Sequence, residues 1–180
     1  MNLKDLLYKV NILRLFGNTD VIVSDIQFDS RKISRGSLFV AIKGMVSDGH
    51  QYIESTIKDG VSAVIVEQIP AKLDENITYI QVESSYDALA VVASNFYGNP
   101  SASIKLVGVT GTNGKTTIVS LLHQLFTLLN KKVGMLSTIE NKIIDKVIPS
   151  THTTPDPLQI NYLLAQMISK GCEYCFMEVS

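Results

Sequence analysis

Short runs of consecutive apolar residues alternate along this chain with segments in which apolar residues recur every three or four positions. The runs are typical of strands buried on both faces of a parallel sheet, and the spaced segments are typical of amphipathic helices. The predicted strands cover residues 37–42, 62–66, 77–82, 104–110, 132–137 and 172–179, with short extended pieces at 21–24 and 26–28. The predicted helices lie within residues 1–17, 50–59, 84–97, 116–130 and 158–170, and residues 142–148 fit an edge strand or one hairpin arm. The order predicts an α/β fold with mostly parallel sheets.

A break in this pattern divides the chain. Gly98, Asn99 and Pro100 interrupt regular structure, and a second α/β series begins after them. We therefore expect a small α/β domain at residues 1–98 and a second domain that begins at residue 103 and runs to 180. Because the strand at 172–179 has no helix after it to cover the sheet, we expect the chain to be the N-terminal part of a longer protein.

Composition and charge exclude several functional classes. The 180 residues include 16 basic and 17 acidic side chains, which leave a net charge of −1 and no basic surplus for nucleic acid or an anionic membrane. No apolar run approaches the ~20 residues that cross a bilayer, and charged residues interrupt the N-terminus where a signal peptide would be apolar. With two cysteines, the chain is expected to be a soluble protein of a reducing cytoplasm.

The strongest chemical signal is the segment 108–117, with the sequence GVTGTNGKTT, between a predicted strand and a predicted helix. In that context the backbone N–H groups of a glycine-rich turn and the helix N-terminus bind phosphate. Lys115 is placed to reach the β- and γ-phosphates of a nucleoside triphosphate, and the Thr116 hydroxyl to ligate Mg²⁺. The segment departs from the strict P-loop pattern, since Val109 stands where the first glycine is expected.

Five other features bear on the chemistry or the packing. Glu178 ends an apolar strand, so its carboxylate is expected at the sheet edge where ligands bind, as a second Mg²⁺ ligand. Cys172 and Cys175 lack a second pair of zinc ligands and are expected to be structural. His123 is expected to pack or to lie on the surface, and Asp29 and Arg31 fit a local ion pair. A stripe of leucines on the helix at 116–130 is expected to face the core: Leu121, Leu122, Leu125, Leu128 and Leu129.

Several segments in order resemble the Mur ligase family of peptidoglycan synthesis, and within it the MurE type. The resemblance covers the whole chain and rests on residues 28–31 (FDSR), 36–41 (GSLFVA), 48–50 (DGH), 110–117 (TGTNGKTT), 152–156 (HTTPD) and 177–180 (MEVS). It implies that residues 1–98 bind the UDP-MurNAc substrate, and that residues 103–180 are the first part of a central, P-loop-type ATPase domain.

The resemblance also implies roles for individual residues. ATP would be bound by Gly111, Thr112, Asn113, Gly114, Lys115, Thr116 and Thr117, with Lys115 catalytic and with Mg²⁺ on Thr116 and Glu178. The UDP-N-acetylmuramoyl-dipeptide would be contacted by Phe28, Ser30, Met45, Val46, Ser47, His152, Thr153, Thr154 and Ser180. The family's amino-acid-binding third domain and its remaining catalytic residues would lie beyond Ser180, so we expect this chain to lack ligase activity by itself.

The implied reaction joins an amino acid to a carboxylate through an acyl phosphate. The γ-phosphate of ATP activates the D-glutamate side chain of UDP-N-acetylmuramoyl-L-alanyl-D-glutamate, and the amine of meso-diaminopimelate or L-lysine then attacks. The alternatives are a MurF-type ligase, a P-loop kinase or GTPase, and a non-catalytic nucleotide-binding module. Residues 141–144 (NKII) lack the aspartate of a guanine-reading segment, which argues against a GTPase.

Overall fold

The computed structural model describes residues 1–44, 47–149 and 156–179. The chain divides into two compact units, Met1–Phe96 and Tyr97–Ser180, and each contains one five-stranded sheet. The predicted α/β fold class is therefore confirmed. Within the described ranges, no helix combines the length and the apolar character needed to cross a membrane.

The first unit is a sheet in strand order β1-β5-β4-β3-β2, in which β2 to β5 run parallel and β1 is antiparallel to β5. Short 3₁₀ turns at Ser30–Lys32 and Gly49–Tyr52 follow β2 and β3. The regular elements are α1 (Leu3–Leu6), β1 (Ile12–Phe16), β2 (Ile26–Gln27), β3 (Leu38–Val40), α2 (Ile53–Lys58), β4 (Ala63–Val66), β5 (Thr78–Val82) and α3 (Ser85–Phe96).

Two interior strands of this sheet, β3 and β4, are buried along their whole length. Every residue of β3 and β4 is buried, as their unbroken apolar sequence predicts for parallel strands covered on both faces. One core cluster joins Phe39 of β3, Val64 of β4 and Tyr79 of β5 to Ile53 at the start of α2. The loops that follow these parallel strands all leave the sheet at its carboxyl edge.

The helix expected within residues 1–17 is only one turn long, and the rest of that expectation is wrong. Leu3 and Leu6 are buried as their spacing predicts, but Lys9 adopts a φ of 62°, which ends helical geometry. The chain then forms β1, with Leu15 opposite Ile80 of β5. Pairing with an exposed sheet edge overrides the local helical pattern, because a short helix is only marginally stable by itself and strand propensity depends on the tertiary context.

The second unit has strand order β6-β10-β7-β8-β9, in which β6, β10 and β7 are parallel and β8 and β9 form an antiparallel extension. Residues 142–148 thus belong to a complete hairpin. After a 3₁₀ turn at Pro100–Ala102, the elements are β6 (Lys105–Val109), α4 (Lys115–Leu128), β7 (Val133–Leu136), β8 (Glu140–Ile143), β9 (Lys146–Pro149), α5 (Pro157–Ser169) and β10 (Tyr174–Glu178).

Helices α4 and α5 cover opposite faces of this second sheet. Cys175 packs with Met167 of α5, whereas the next residue, Phe176, packs with Val119 of α4. Successive residues of a strand point to opposite faces, so the two helices lie on different sides. Both cysteines are buried and free, and burial raises the pKa of Cys175 to about 12, in agreement with a structural role for this residue.

The leucine stripe expected to face the core is mostly exposed, and that prediction is wrong for four of its five members. Leu122 packs against the core cluster, but four leucines of the stripe are exposed: Leu121, Leu125, Leu128 and Leu129. The face that meets the sheet instead carries Val119, Leu122, His123 and Phe126, which follow the i, i+3, i+4, i+7 spacing. The helix is apolar on two sides, so periodicity alone does not identify the buried one.

Candidate nucleotide-binding site

The glycine-rich turn joins the end of β6 directly to the start of α4. Gly111 has a φ of 147° and Gly114 a φ of 79°, values that side-chain-bearing residues rarely adopt. Gly114 is the N-cap of the 14-residue helix α4, and the N–H of Ile118 makes the bond to its carbonyl. The N–H groups of Lys115 and the two residues after it precede the first intrahelical bond, so they are available to an anion at the positive end of the helix.

Lys115 lies over this turn. Its Nζ donates a hydrogen bond to the Gly111 carbonyl oxygen at 2.7 Å, so the side chain folds back from the first residue of α4 towards the glycines. An ammonium group is therefore placed beside the N–H groups that precede the first helical bond. Both features favour the same ligand, a polyanion such as a nucleotide phosphate tail.

Glu178 is brought to the turn by the neighbouring strand. Strand β10 runs parallel to β6 with Glu178 opposite Val109, the last residue of β6. The Thr116 hydroxyl donates to Glu178 Oε2 at 2.9 Å, across 62 residues of sequence. The structure thus joins the two residues that the sequence identified as Mg²⁺ ligands, although each was proposed on separate grounds.

Thr138 is part of this arrangement, and sequence reasoning missed it. Its backbone N–H and its hydroxyl both donate to Glu178 Oε2, each at 3.2 Å. Thr138 follows β7, which lies beside β10 on the side away from β6. The one signal that points to it is a polar residue just after a buried strand, and that signal becomes specific only when the strand order is known.

The carboxylate of Glu178 is held in its ionised form. Burial raises its pKa, but the Thr138 N–H, the Thr116 hydroxyl, the Thr138 hydroxyl and the charge of Lys115 together outweigh burial and lower it. Every one of these groups is a donor or a cation, and each favours the charged carboxylate. An ionised carboxylate beside a hydroxyl is a pair of hard oxygen donors, which suits a divalent cation such as Mg²⁺.

The candidate substrate residues of the first unit lie beyond the carboxyl ends of β2 and β3. Phe28 and Ser30 are half-buried after β2, where Asp29 caps the 3₁₀ turn and pairs with Arg31 at 2.8 Å, as predicted. Ser47 is exposed after β3, and its hydroxyl lies 3.1 Å from the Tyr52 hydroxyl. The remaining candidates lie outside the described residues: Met45, Val46, His152, Thr153, Thr154 and Ser180.

The second unit therefore has the features of a P-loop protein: parallel strands, a glycine turn, and a helix that starts with lysine and threonine beside a carboxylate from the next strand. Comparison with known families agrees. The Mur ligase middle domain matches residues 109–180, and the model described as "Mur ligase family, catalytic domain" matches residues 23–97. The chain belongs to the Mur ligase family.

Similar proteins refine this assignment. A Cytophaga hutchinsonii protein named UDP-N-acetylmuramoyl-L-alanyl-D-glutamate--2,6-diaminopimelate ligase is 54% identical over 181 residues, which are 100% of this chain and 37% of that protein. A solved structure of a ligase with the same name has a TM-score of 0.78 at 22% identity and covers 100% of this chain and 36% of its own. The structure of MurF from Thermotoga maritima in complex with ADP has a TM-score of 0.55 at 29% identity, and the match covers 86% of this chain and 31% of the MurF chain.

Proposed function

We propose that this chain supplies the nucleotide-substrate domain and the ATP-binding part of an amide ligase that extends UDP-N-acetylmuramoyl-L-alanyl-D-glutamate. The chain spans about 37% of the length of the relative it matches at 54% identity, so the activity concerns a longer polypeptide. The observation that carries the proposal is the meeting of Lys115, Thr116 and Glu178 at the carboxyl ends of parallel strands.

ATP is the nucleotide that we assign to the turn at residues 111–117. The free N–H groups at the start of α4 would hold the phosphates, and Lys115 would exchange its bond to Gly111 for the β- and γ-phosphate oxygens. The Thermotoga maritima MurF structure contains ADP, which supports an adenine nucleotide in this family. In phosphoryl transfer the protein acts mainly by positioning groups and by neutralising developing charge, and we assign both roles to Lys115.

The residues present fit a magnesium ion. Thr116 and Glu178 offer two oxygen atoms 2.9 Å apart, and the carboxylate is kept ionised by its donors. Mg²⁺ commonly binds through one or two protein oxygens and completes its shell with phosphate and water, so no larger protein cluster is needed. When bound, the ion would supply positive charge next to the phosphates.

The acceptor is the nucleotide-linked dipeptide after which the relative is named. We assign its uridine end to Phe28, Ser30 and the loop of Met45, Val46 and Ser47. We assign its muramoyl-dipeptide end to the second unit, at His152, Thr153, Thr154 and Ser180.

The proposed chemistry activates a carboxylate before an amine attacks it. A carboxylate oxygen is a poor leaving group, and transfer of the γ-phosphoryl group converts it into phosphate, which is a good one. The amine then adds to the acyl carbon, and the tetrahedral intermediate collapses to amide and inorganic phosphate. We assign binding of the amino acid to the part of the relatives that this chain does not span, and we place the reaction in the cytoplasm.

The amino acid that we propose is meso-diaminopimelate, because the relative at 54% identity is named for it. L-Lysine is the alternative within the same type of ligase. A MurF-type ligase is less well supported, since the relative at 54% identity is named as a diaminopimelate ligase.

A chimera tests the proposal. The 180 residues would replace the matching segment of the Cytophaga hutchinsonii relative, and amide formation would be followed with each candidate amino acid. We expect ATP consumption that requires both the UDP-dipeptide and diaminopimelate, and we expect Lys115→Ala to abolish most ATP binding. Lys105→Ala is the matched control, because its Nζ contacts Tyr174 at the opposite end of β6.

Three results would contradict the proposal or part of it. ATP consumption by the chimera that does not depend on an amino acid would favour a kinase or a simple nucleotide-binding module. Unchanged ATP affinity in Lys115→Ala would remove the assignment of the turn itself. Product formed only with a dipeptide amine in place of diaminopimelate would favour the MurF type.

A further inference from the structure

Backbone bonds after β3 join Ile42, Lys43 and Gly44 to Ser47, Asp48 and Gly49. Lys43 and Asp48 form an antiparallel bridge, and the Gly44 N–H donates to the Ser47 carbonyl at 2.9 Å. The Gly49 N–H then donates to the Ile42 carbonyl at 2.8 Å. A side chain on Gly49 would place its Cβ 2.8 Å from the Ile42 backbone, so only glycine allows this close return.

Asp48 connects this loop to the imidazole of His50. Its Oδ1 accepts the His50 backbone N–H at 3.0 Å and lies 2.7 Å from His50 Nδ1. The backbone bond from His50 and the bond from its ring lower the pKa of Asp48, so the carboxylate is ionised and acts only as an acceptor. Nδ1 of His50 must therefore carry the proton.

The other ring nitrogen of His50 reaches the end of β4. Nε2 lies 3.0 Å from the backbone nitrogen of Glu67 and 3.4 Å from that of Gln68, and both of these groups donate. A backbone N–H cannot accept a hydrogen bond, so Nε2 must present its lone pair. Nε2 therefore faces two donors, and Nδ1 faces an acceptor. These partners specify a single neutral tautomer of His50, with the proton on Nδ1.

Glu67 extends the connection to α3. Its Oε1 accepts the N–H of Ser85, the first residue of α3, at 3.0 Å, and its carbonyl accepts from Gln81 Nε2 at 3.1 Å. A continuous series of hydrogen bonds thus runs from Asp48 through His50 and Glu67 to Ser85. It joins the loop after β3 to the next parallel strand and to the helix that follows β5.

We propose that His50 is a positioning residue: as its Nδ1-protonated neutral tautomer it holds Asp48, and with it the adjacent Ser47, against the end of β4. In doing so it fixes Ser47 for the uridine nucleotide of the acceptor substrate. This role rests on the proposed function, since Ser47 is one of the residues assigned to that nucleotide. His50 itself is not assigned a contact with substrate.

The tautomer is tested on the 180-residue chain by ¹⁵N NMR of labelled histidine near neutral pH. We expect one imidazole with a protonated Nδ1 and an unprotonated Nε2, whose signals disappear in His50→Gln. The backbone amide signals of the loop should shift in His50→Phe, recover in part in His50→Gln, and stay unchanged in Ser55→Ala. Ser55 is a fair control because its hydroxyl makes only a local bond, to the Tyr52 carbonyl. A proton on Nε2, or unmoved loop signals in His50→Phe, would overturn the proposal.

The positioning role is tested by kinetics in the chimera. His50→Phe removes both ring bonds, and we expect the KM for the UDP-dipeptide to rise about tenfold, the factor that corresponds to one ordinary hydrogen bond. The kcat and the KM for ATP should change by less than about twofold, because a displaced loop weakens binding of one substrate only. His50→Gln, which keeps an acceptor near Nε2, should recover much of the affinity.

The outcomes separate this inference from the function on which it rests. An active chimera in which His50→Phe leaves the KM for the UDP-dipeptide unchanged would refute the positioning role and leave the ligase assignment intact. A chimera that does not use the UDP-dipeptide at all would count against the ligase assignment, and the NMR measurements would still decide whether His50 holds the loop.

Discussion

Replacing Thr138 by valine tests whether the carboxylate of Glu178 is held in place by the strand next to it. The substitution keeps the shape and the backbone N–H of residue 138 but removes the hydroxyl that donates to Glu178 Oε2 at 3.2 Å. Two donors to that oxygen remain, from the Thr116 hydroxyl and the Thr138 backbone. The carboxylate would then be oriented less firmly towards Thr116.

The magnitude follows from the kind of bond that is lost. A hydrogen bond to a charged group contributes roughly 1.5–3 kcal/mol, and the half-buried position of Glu178 favours the lower end of that range. A loss of about 1.5 kcal/mol corresponds to roughly tenfold weaker binding of Mg-ATP. Calorimetric titration of the chimera would measure it. Thr138→Ser restores the hydroxyl and should bind nearly as the parent does.

The same substitution should change a titration in the 180-residue chain without any nucleotide. The pKa of Glu178 lies below its ordinary value of 4.5, so its donors stabilise the folded state above that value and lose their effect as the pH falls through the lowered pKa. Thr138→Val should move the pKa, followed by ¹³C NMR of the carboxyl group, back upwards. The difference in stability from the parent should be largest near neutral pH and should shrink in acid.

The same threonine-to-valine substitution at a site away from Glu178 provides the control. Thr127→Val deletes a bond to the His123 carbonyl within α4, away from the glycine turn, and should leave both ATP binding and the Glu178 titration unchanged. If Thr138→Val binds Mg-ATP as tightly as the parent chain, Thr138 has no part in holding the metal carboxylate, and the reasoning fails.

Two further predictions concern stability and titration. Val119→Ala should lower the free energy of unfolding by about 1–3 kcal/mol, because Val119 is fully buried. Leu121→Ala should change it by less than about 0.5 kcal/mol, because Leu121 is 58% exposed. Equal losses of stability in chemical denaturation would contradict the packing of α4. The pKa of Asp29 should be about 2, lowered mainly by the side-chain hydrogen bond from Arg31. The stabilisation of the folded state by this pair is therefore complete above the ordinary pKa of 3.8 and is lost as the pH falls towards 2. Arg31→Gln should return that pKa towards 3.8 in an NMR titration, and an unchanged midpoint would show that the bond is absent in solution.

Features that depend on residues adjacent along the chain could be predicted without a structure. The buried strands β3 and β4 are continuous apolar runs, and the glycine turn with Lys115 and Thr116 is one contiguous segment, so both are visible without a fold. Glu178 was also predictable, because a polar residue at the end of an apolar strand in an α/β chain falls at the edge where ligands bind. The resemblance of ordered motifs then indicated the family.

Features that depend on which strands are neighbours could be seen only once the chain was folded. Thr138 donates to Glu178 because β7 and β6 lie on either side of β10, an order that local sequence does not specify. Strand β1 replaced an expected helix because the edge of β5 was free to pair with it. The buried side of α4 was likewise chosen by the sheet it covers, since the helix is apolar on two faces and burial depends on what lies opposite.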